Sequence, residues 1–494
     1  MKRHIPMWIY AILLAACGGF FFYYALAIEL IPTAYLLLAG AVIALLALVA
    51  LLLSRSTKKP FRFVLGTLLT LFLAAALLAG GYYLRMTYHT LHSITQVVTQ
   101  YTPVAVFVRT DDPAENLTDA AGYTFAIAAD TDRDAVDTAI ADIESKLEAS
   151  IATQEYETYL AAVNALLEGD VDALIINAAY IELLEGTDEY SDIYDRIRSL
   201  EMVTVQTEVE VPAETQTQAT DATDATDETG DNVEIPANDH VFTLYISGSD
   251  TRYGLNSLGR SDVNILGVVN TETHQVLLIS TPRDYYVPLS ISNGVRDKLT
   301  HAGIYGIQVS VDTMELLYDI EIDYYFRLNF TGFVNIIDAL GGVSFYNTAP
   351  SSLVPAGYVT LTGEEALAFA RDRYSYASGD LQRGKNQMTI IKAVIEKALS
   401  STDVLANYAS IMASLEGSFE TTVPYSLIAS IVSDQLATNP SWDIVSYEVT
   451  GTGDSQIPYS MSMYAYVMWP DESTVTHAKE LMAAVYNDEI ISEE

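Results

Sequence analysis

The sequence predicts a membrane-anchored α/β protein, with three N-terminal transmembrane helices, a small α/β domain and a larger α/β domain. Three observations carry this reading. Apolar runs of membrane-spanning length crowd the first 84 residues. Beyond them, strand-like and helix-like periodicities alternate along the chain. A Thr/Ala/Asp-rich stretch then divides the alternating part in two.

The apolar runs are Met7–Ile28, Ile31–Leu53 and Phe63–Leu84. Each lies close to the roughly 20 residues a helix needs to cross a bilayer. Lys2 and Arg3 precede the first, and Arg55, Lys58, Lys59 and Arg62 separate the second from the third. Only Glu29 is charged between the first and second. The positive-inside rule therefore sets the N-terminus in the cytoplasm and everything after Leu84 outside. Leu14-Ala-Ala-Cys17 has the form of a lipoprotein processing box, but the apolar run continues through Phe20–Tyr24, which favours a cysteine inside a span.

Charge separates the two parts. Residues 1–84 hold six basic residues and one acidic residue, and the remainder holds 19 basic and 63 acidic ones. The chain's net charge is −39. Such an exterior repels a phosphate backbone, so nucleic acid is not an expected partner. Cys17 is the single cysteine, which excludes an intramolecular disulfide framework and suits a Gram-positive-type surface.

Residues 85–98 read as a stalk, and 99–207 as a small accessory domain. Within the latter, Pro103–Arg109, Tyr123–Ala128 and Val171–Asn177 read as strands, and Asp134–Ala149 and Glu155–Leu167 as helices. Residues 208–238 are Thr/Ala/Asp-rich and nearly free of large apolar side chains, and read as a disordered linker. The large domain spans 239–494. Its expected strands are Val241–Ser247, Val263–Val269, Val276–Ser280 and Tyr324–Asn329. Its expected helices are Gln308–Asp319, Phe333–Leu340, Gly363–Arg373 behind a Thr362 cap, Asp380–Leu399, Pro424–Gln435 and His477–Tyr486.

Twelve of the 19 external basic residues fall between Arg252 and Lys397. An arginine fork fits phosphate oxygens bidentately, so this cluster suggests an anionic ligand. Arg283 follows a strand, where α/β sheets place ligand crevices. Arg371 and Arg373 end one helix, and Arg383 begins the next, four residues before Gln387 on the same side. Asp250 and Asp262 sit on loops nearby in the sequence, and two such carboxylates suit a magnesium–diphosphate site.

Seven segments carry a resemblance. They are Gly259-Arg-Ser-Asp-Val-Asn, Leu277-Leu-Ile-Ser-Thr-Pro-Arg-Asp, Lys298-Leu-Thr-His-Ala, Ile322-Asp-Tyr-Tyr-Phe-Arg-Leu-Asn-Phe-Thr-Gly-Phe, Asp338-Ala-Leu-Gly-Gly-Val, Leu361-Thr-Gly-Glu-Glu-Ala-Leu-Ala-Phe-Ala-Arg-Asp-Arg and Gly379-Asp-Leu-Gln-Arg. In this order and spacing, the stretch from Val241 onward resembles the LytR-CpsA-Psr family of cell-wall polymer ligases. The three spans and accessory domain resemble its capsule-type branch.

The resemblance implies an α-β-α layered domain around a central mixed sheet. It implies transfer of a capsule- or teichoic-acid-type glycopolymer from a polyprenyl-pyrophosphate carrier to peptidoglycan, at the outer membrane face, with Mg²⁺ (or Mn²⁺). Carried over by motif, Arg283, Arg371, Arg373 and Gln387 contact the diphosphate; Arg260, Lys298, Asp380 and Arg383 line the same site. Asp250 and Asp262 place the metal, Asp284 or Asp380 takes the proton, and Val309, Leu316 and Ile336 are candidates for the lipid tail. One departure is Asn386, where the family often has arginine. Two alternatives stay open at this point: a pyrophosphatase using water as acceptor, and a non-catalytic surface receptor or regulator.

Overall fold

The computed structural model describes residues 7–27, 33–55, 60–94, 100–129, 131–207, 238–249, 251, 254–376, 379–399 and 417–492. The chain divides into two compact units.

The first unit comprises residues 1–96, 332–366 and 390–443. It holds three long apolar helices, Met7–Ala27, Thr33–Ser54 and Pro60–Ile94, each long and apolar enough to cross a membrane. The third runs on past Leu84 through most of the expected stalk. Leu14, Cys17, Leu73, Ala74 and Leu77 pack together between helices, so Cys17 sits buried in mid-helix. The same unit holds the hairpin Val343–Asn347 with Gly357–Leu361, and the helix Tyr425–Thr438. Thr362 and Glu365 form a capping box: the Thr362 backbone N–H donates to Glu365 Oε2 at 2.9 Å, and the Glu365 N–H donates back to Thr362 Oγ1.

The second unit comprises 97–331, 367–389 and 444–494 and contains two large sheets, besides the small hairpins Tyr286–Pro288 with Arg296–Lys298 and Gly451–Gln456 with Ala465–Pro470. The accessory sheet has the order Ala152–Tyr156, Thr124–Ala128, Ala173–Asn177, Gln100–Arg109, Ile197–Thr207. It is mixed, with helices Arg133–Leu147 and Tyr159–Glu168 against it. The helix expected over Glu155–Leu167 is shorter than its apolar pattern suggested. Ala152–Tyr156 forms an exposed edge strand instead, and Thr158 caps a helix that starts at Tyr159. Also not anticipated are the helices Ala178–Glu185 and Ile193–Arg196 and the strand Ile197–Thr207.

The larger sheet places Tyr324–Asn329, Val241–Ser249, Ser261–Asn270, Gln275–Ser280 and Asp443–Glu448 side by side. Tyr324–Asn329 runs parallel to Val241–Ser249, and the next two strands pair antiparallel, giving the expected mixed sheet. The continuous apolar runs of these strands bury Leu266, Val268, Leu277 and Ile279 against Ile307, Val311 and Met314 of the helix Ile307–Tyr318, and against Val475, Ala478 and Met482 of Glu472–Tyr486. Residues 208–237, the bulk of the expected linker, lie outside the described residues.

Within this unit the accessory domain rests on the larger one. The Tyr101 N–H donates to Asn256 O and the Leu258 N–H to Tyr101 O, both at 2.9 Å. Ile304 is buried in the accessory core, with Tyr305 and Met463 packed against it. Tyr159 OH donates to Ser460 O at 3.2 Å.

Candidate active site

Sheet register builds the site. Gln275–Ser280 pairs antiparallel with Ser261–Asn270 through Ile265↔Ser280. Carried three residues further, that register sets Asp262 opposite Arg283. Arg283 Nη1 donates to Asp262 Oδ2 at 2.7 Å, and Thr300 Oγ1 donates to Asp262 Oδ1 at 3.0 Å. Asp284, next in sequence, accepts from Lys298 Nζ at 3.1 Å and lies 3.6 Å from Arg283 Nε.

The supporting framework is backbone and hydroxyl. The Thr300 N–H donates to Arg283 O and the Leu299 N–H to Tyr285 O, which brings the Lys298–Thr300 segment alongside. Beneath Asp262, buried Tyr245 donates to Asn264 Oδ1 at 2.6 Å, and Ser261 Oγ meets both Ser247 Oγ and Tyr245 OH. Gly303 matters for a close approach. A Cβ there would stand 2.5 Å from Gly259 O and 2.8 Å from Ser261 N, so only glycine lets the 3₁₀ turn Leu299–Tyr305 press on the Gly259–Ser261 backbone.

Charge completes the picture. Burial alone would raise the Asp262 carboxyl, but the charge of Arg283, with Arg260 and Arg383 behind it, outweighs this and holds it well below the usual carboxylate range. Burial likewise opposes ionisation of Asp284, and Lys298 and Arg283 overcome it and lower its pKa. Both carboxylates are therefore ionised and engaged by cations. Asp262 spends one lone pair of each oxygen on Arg283 and Thr300, which leaves another on each to meet a hydrated cation.

Two cavities open here, sharing Arg260. One, of about 30 Å³, is lined by Arg260, Arg283, Asp284, Lys298, Thr300 and His301, and closed by Leu183 and Thr187 of the accessory domain. The other, of about 700 Å³, is lined by Arg260, Arg371, Thr251, Asn329 and Phe330, with Glu182 and Glu185 of the accessory domain on its wall. Arg260 Nη1 donates to Glu182 O at 3.1 Å, tying the unanticipated helix Ala178–Glu185 to the site.

Of the residues expected from sequence, Arg260, Asp262, Arg283, Asp284 and Lys298 converge. Arg383 is buried in the first turn of Asp380–Leu399, and its charge reaches both aspartates. Arg371 lies over the Phe330 ring at 4.4 Å and lines the larger cavity. Arg373 rests on Tyr374 instead, 4.8 Å from its ring centroid. Gln387 donates to Ala370 O at 3.4 Å, and Asn386, the departure, donates to Phe369 O at 3.0 Å, fastening the helix in place of reaching a ligand. Asp250 and the side chain of Asp380 lie outside the described residues. Val309 is half-buried and Leu316 is 64 % exposed on Ile307–Tyr318, and Ile336 belongs to the first unit. The sequence reading missed Thr300 and His301 as site residues, although both stand in the quoted Lys298–Ala302 segment.

The description of the LytR_cpsA_psr family matches residues 205–480. The chain belongs to the LytR-CpsA-Psr family. Among its curated relatives are two proteins named polyisoprenyl-teichoic acid–peptidoglycan teichoic acid transferase TagU. The one from Halalkalibacterium halodurans is 37 % identical over 177 residues, 35 % of this chain and 57 % of the relative. The one from Bacillus subtilis is 31 % identical over 217 residues, 43 % of this chain and 69 % of the relative. The crystal structure of B. subtilis TagU aligns at 25 % identity over 51 % of this chain and 99 % of that one, with a TM-score of 0.39. The chain thus spans between about half and two thirds of the length of these curated family members, and the paired Asp262–Arg283 and Asp284–Lys298 contacts fall inside the matched family region.

Proposed function

We propose that the protein is an extracytoplasmic phosphotransferase that attaches a glycopolymer of capsule or teichoic-acid type, carried on polyprenyl pyrophosphate, to peptidoglycan. Family membership supports the reaction class. The observation that carries it on this chain is the convergence of Arg260, Arg283, Lys298 and Arg383 around Asp262 and Asp284. In a strongly acidic exterior, such a gathering of cations suits a doubly phosphorylated anion.

The chemistry follows from electrostatics and positioning. Arg260, Arg283 and Lys298 neutralise the diphosphate, with Arg371 over the larger cavity. A sugar hydroxyl attacks the glycan-side phosphorus in line. The bond from that phosphorus to the bridging oxygen breaks, and polyprenyl phosphate departs with its charge stabilised by guanidinium groups. Asp262, with Asp250, would hold Mg²⁺ (or Mn²⁺), which when bound neutralises phosphate charge and fixes the oxygens' orientation. Asp284, ionised and paired with Lys298 and Arg283, sets the cations rather than accepting the proton.

The three apolar helices anchor the enzyme where its donor lipid resides. The charge pattern supports an outside position for both α/β domains, where tethering would raise the effective concentration of enzyme and donor on one surface. The test uses purified full-length protein, a polyprenyl-pyrophosphate glycan, Mg²⁺ and peptidoglycan acceptor. Formation of a glycan–peptidoglycan phosphodiester that is lost in Arg283→Ala is the expected result. Release of glycan phosphate at the same rate without acceptor would establish a pyrophosphatase, and full transfer by Arg283→Ala would refute the site.

A further inference from the structure

We infer that His301, held by buried Asp297, accepts the proton of the attacking hydroxyl; this rests on the transfer reaction proposed above. The two described aspartates of the site are poor candidates, since each is ionised and engaged by cations. A poor base leaves an attacking sugar hydroxyl without a proton acceptor, because its own pKa lies far above neutrality.

His301 lies on the 3₁₀ turn Leu299–Tyr305 and lines the 30 Å³ cavity together with Arg260, Arg283 and Lys298. Its Nδ1 meets Asp297 Oδ1 at 2.7 Å and Ser460 Oγ at 2.8 Å. Asp297 is wholly buried. Its Oδ1 also accepts the Lys298 N–H at 2.7 Å, and its Oδ2 accepts the Ser460 N–H at 2.8 Å. With Nδ1–H donating to Asp297 Oδ1, the ring's bare lone pair belongs to Nε2. The same carboxylate stabilises the imidazolium once the proton arrives.

Ser460 is not a nucleophile in this arrangement. It shares Nδ1 with Asp297, whereas a serine activated by this dyad would need Nε2. The cavity volume matches a water or a single hydroxyl group. The step balances: the acceptor O–H proton passes to His301 Nε2, its oxygen bonds the glycan-side phosphorus, and the electron pair of the broken P–O bond leaves on polyprenyl phosphate. The imidazolium then returns its proton to water.

The charged and titratable groups around the ring come from every neighbouring element: Asp297 and Lys298 from its own segment, Tyr305 from its own turn, Arg283 and Asp284 from the strand end, Arg260 from the adjoining loop, and Tyr159 of the accessory domain through Ser460.

The experiment compares His301→Gln, His301→Ala and Arg283→Ala in the full-length protein, with the donor and acceptor above. A general base contributes on the order of 10²–10⁴-fold. The expected result is a kcat reduced by about 10²-fold or more in both His301 variants, donor affinity within threefold of wild type, partial rescue of His301→Ala by added imidazole, and loss of the acid limb of the pH–rate profile. A kcat within threefold of wild type overturns the inference. So does a loss of kcat accompanied by lost donor binding with no imidazole rescue, which would mark a structural ring. If Arg283→Ala retains full transfer, the reaction reading itself fails; if only the His301 variants behave as wild type, the reading stands and the inference falls.

Discussion

The strand-end cluster and the helix-end arginines are built differently. Around Asp262 and Asp284, Arg283 and Lys298 each pair with a carboxylate, and these side chains are mostly buried. Arg371 and Arg373, by contrast, lie over the aromatic rings of Phe330 and Tyr374. A cation–π contact at an exposed site is worth about 0.5–1 kcal/mol, whereas breaking one partner of a buried pair costs about 3–5 kcal/mol. One half is therefore held by strong buried pairing, and the other by weaker contacts.

Removing a member of the fixed half should have the largest effect. Arg283→Ala is expected to lower kcat by about 10²–10³-fold, the scale of one lost electrostatic donor, and to lower stability because Asp262 is left buried without its main partner. Steady-state transfer assays and thermal denaturation check both. An Arg283→Ala protein with unchanged melting would erase the contrast between the halves.

Arg371→Ala should act on binding more than on folding. The expectation is a roughly tenfold rise in donor KM, equivalent to about 1.4 kcal/mol, with unchanged melting temperature. Substantial destabilisation would show that Arg371 is as fixed as Arg283.

The acid response sharpens the comparison further. Asp262 and Asp284 have folded pKa values below their unfolded ones, so the unfolded chain binds more protons as pH falls through the ordinary carboxylate value near 4. Their stabilisation is fully present above that value and is lost towards lower pH. Thermal denaturation from pH 7 to pH 3 should show the wild type losing melting temperature below about pH 5, and Asp262→Asn should lose it less steeply. Equal slopes would mean that the aspartates are not depressed together.

The smallest effect is expected for Tyr374→Ala. Arg373 loses the ring it rests on and a hydrogen bond to the Tyr374 hydroxyl at 2.6 Å. Since both groups are at the surface, melting should change by less than a degree or two and transfer by less than about threefold. A larger loss would place Arg373 among the fixed groups.

Much of this was legible along the chain. Three uninterrupted apolar stretches flanked by basic residues announce spans, because hydropathy and positive charge are local properties that no later contact has to supply. The strands expected over Val241–Ser247, Val263–Val269 and Val276–Ser280 were visible as dense apolar runs, and the turn Asn270–His274 as a break between the last two. Motifs also located Asp262, Arg283, Asp284 and Lys298, since those residues stand in recognisable segments.

Convergence belongs to the tertiary structure. That Thr300 grips Asp262, that Asp284 is consumed by Lys298, and that His301 leans on Asp297 and Ser460 all depend on register and on a loop more than 150 residues away. The accessory segment Ala178–Thr187 lines one cavity through Leu183 and Thr187 and the other through Glu182 and Glu185, and its apolar Ala178–Leu184 run signals burial without saying which surface covers it. Periodicity reports which face of an element is apolar. Only packing decides which distant face it meets, because that choice is set by shape and buried area summed over both domains.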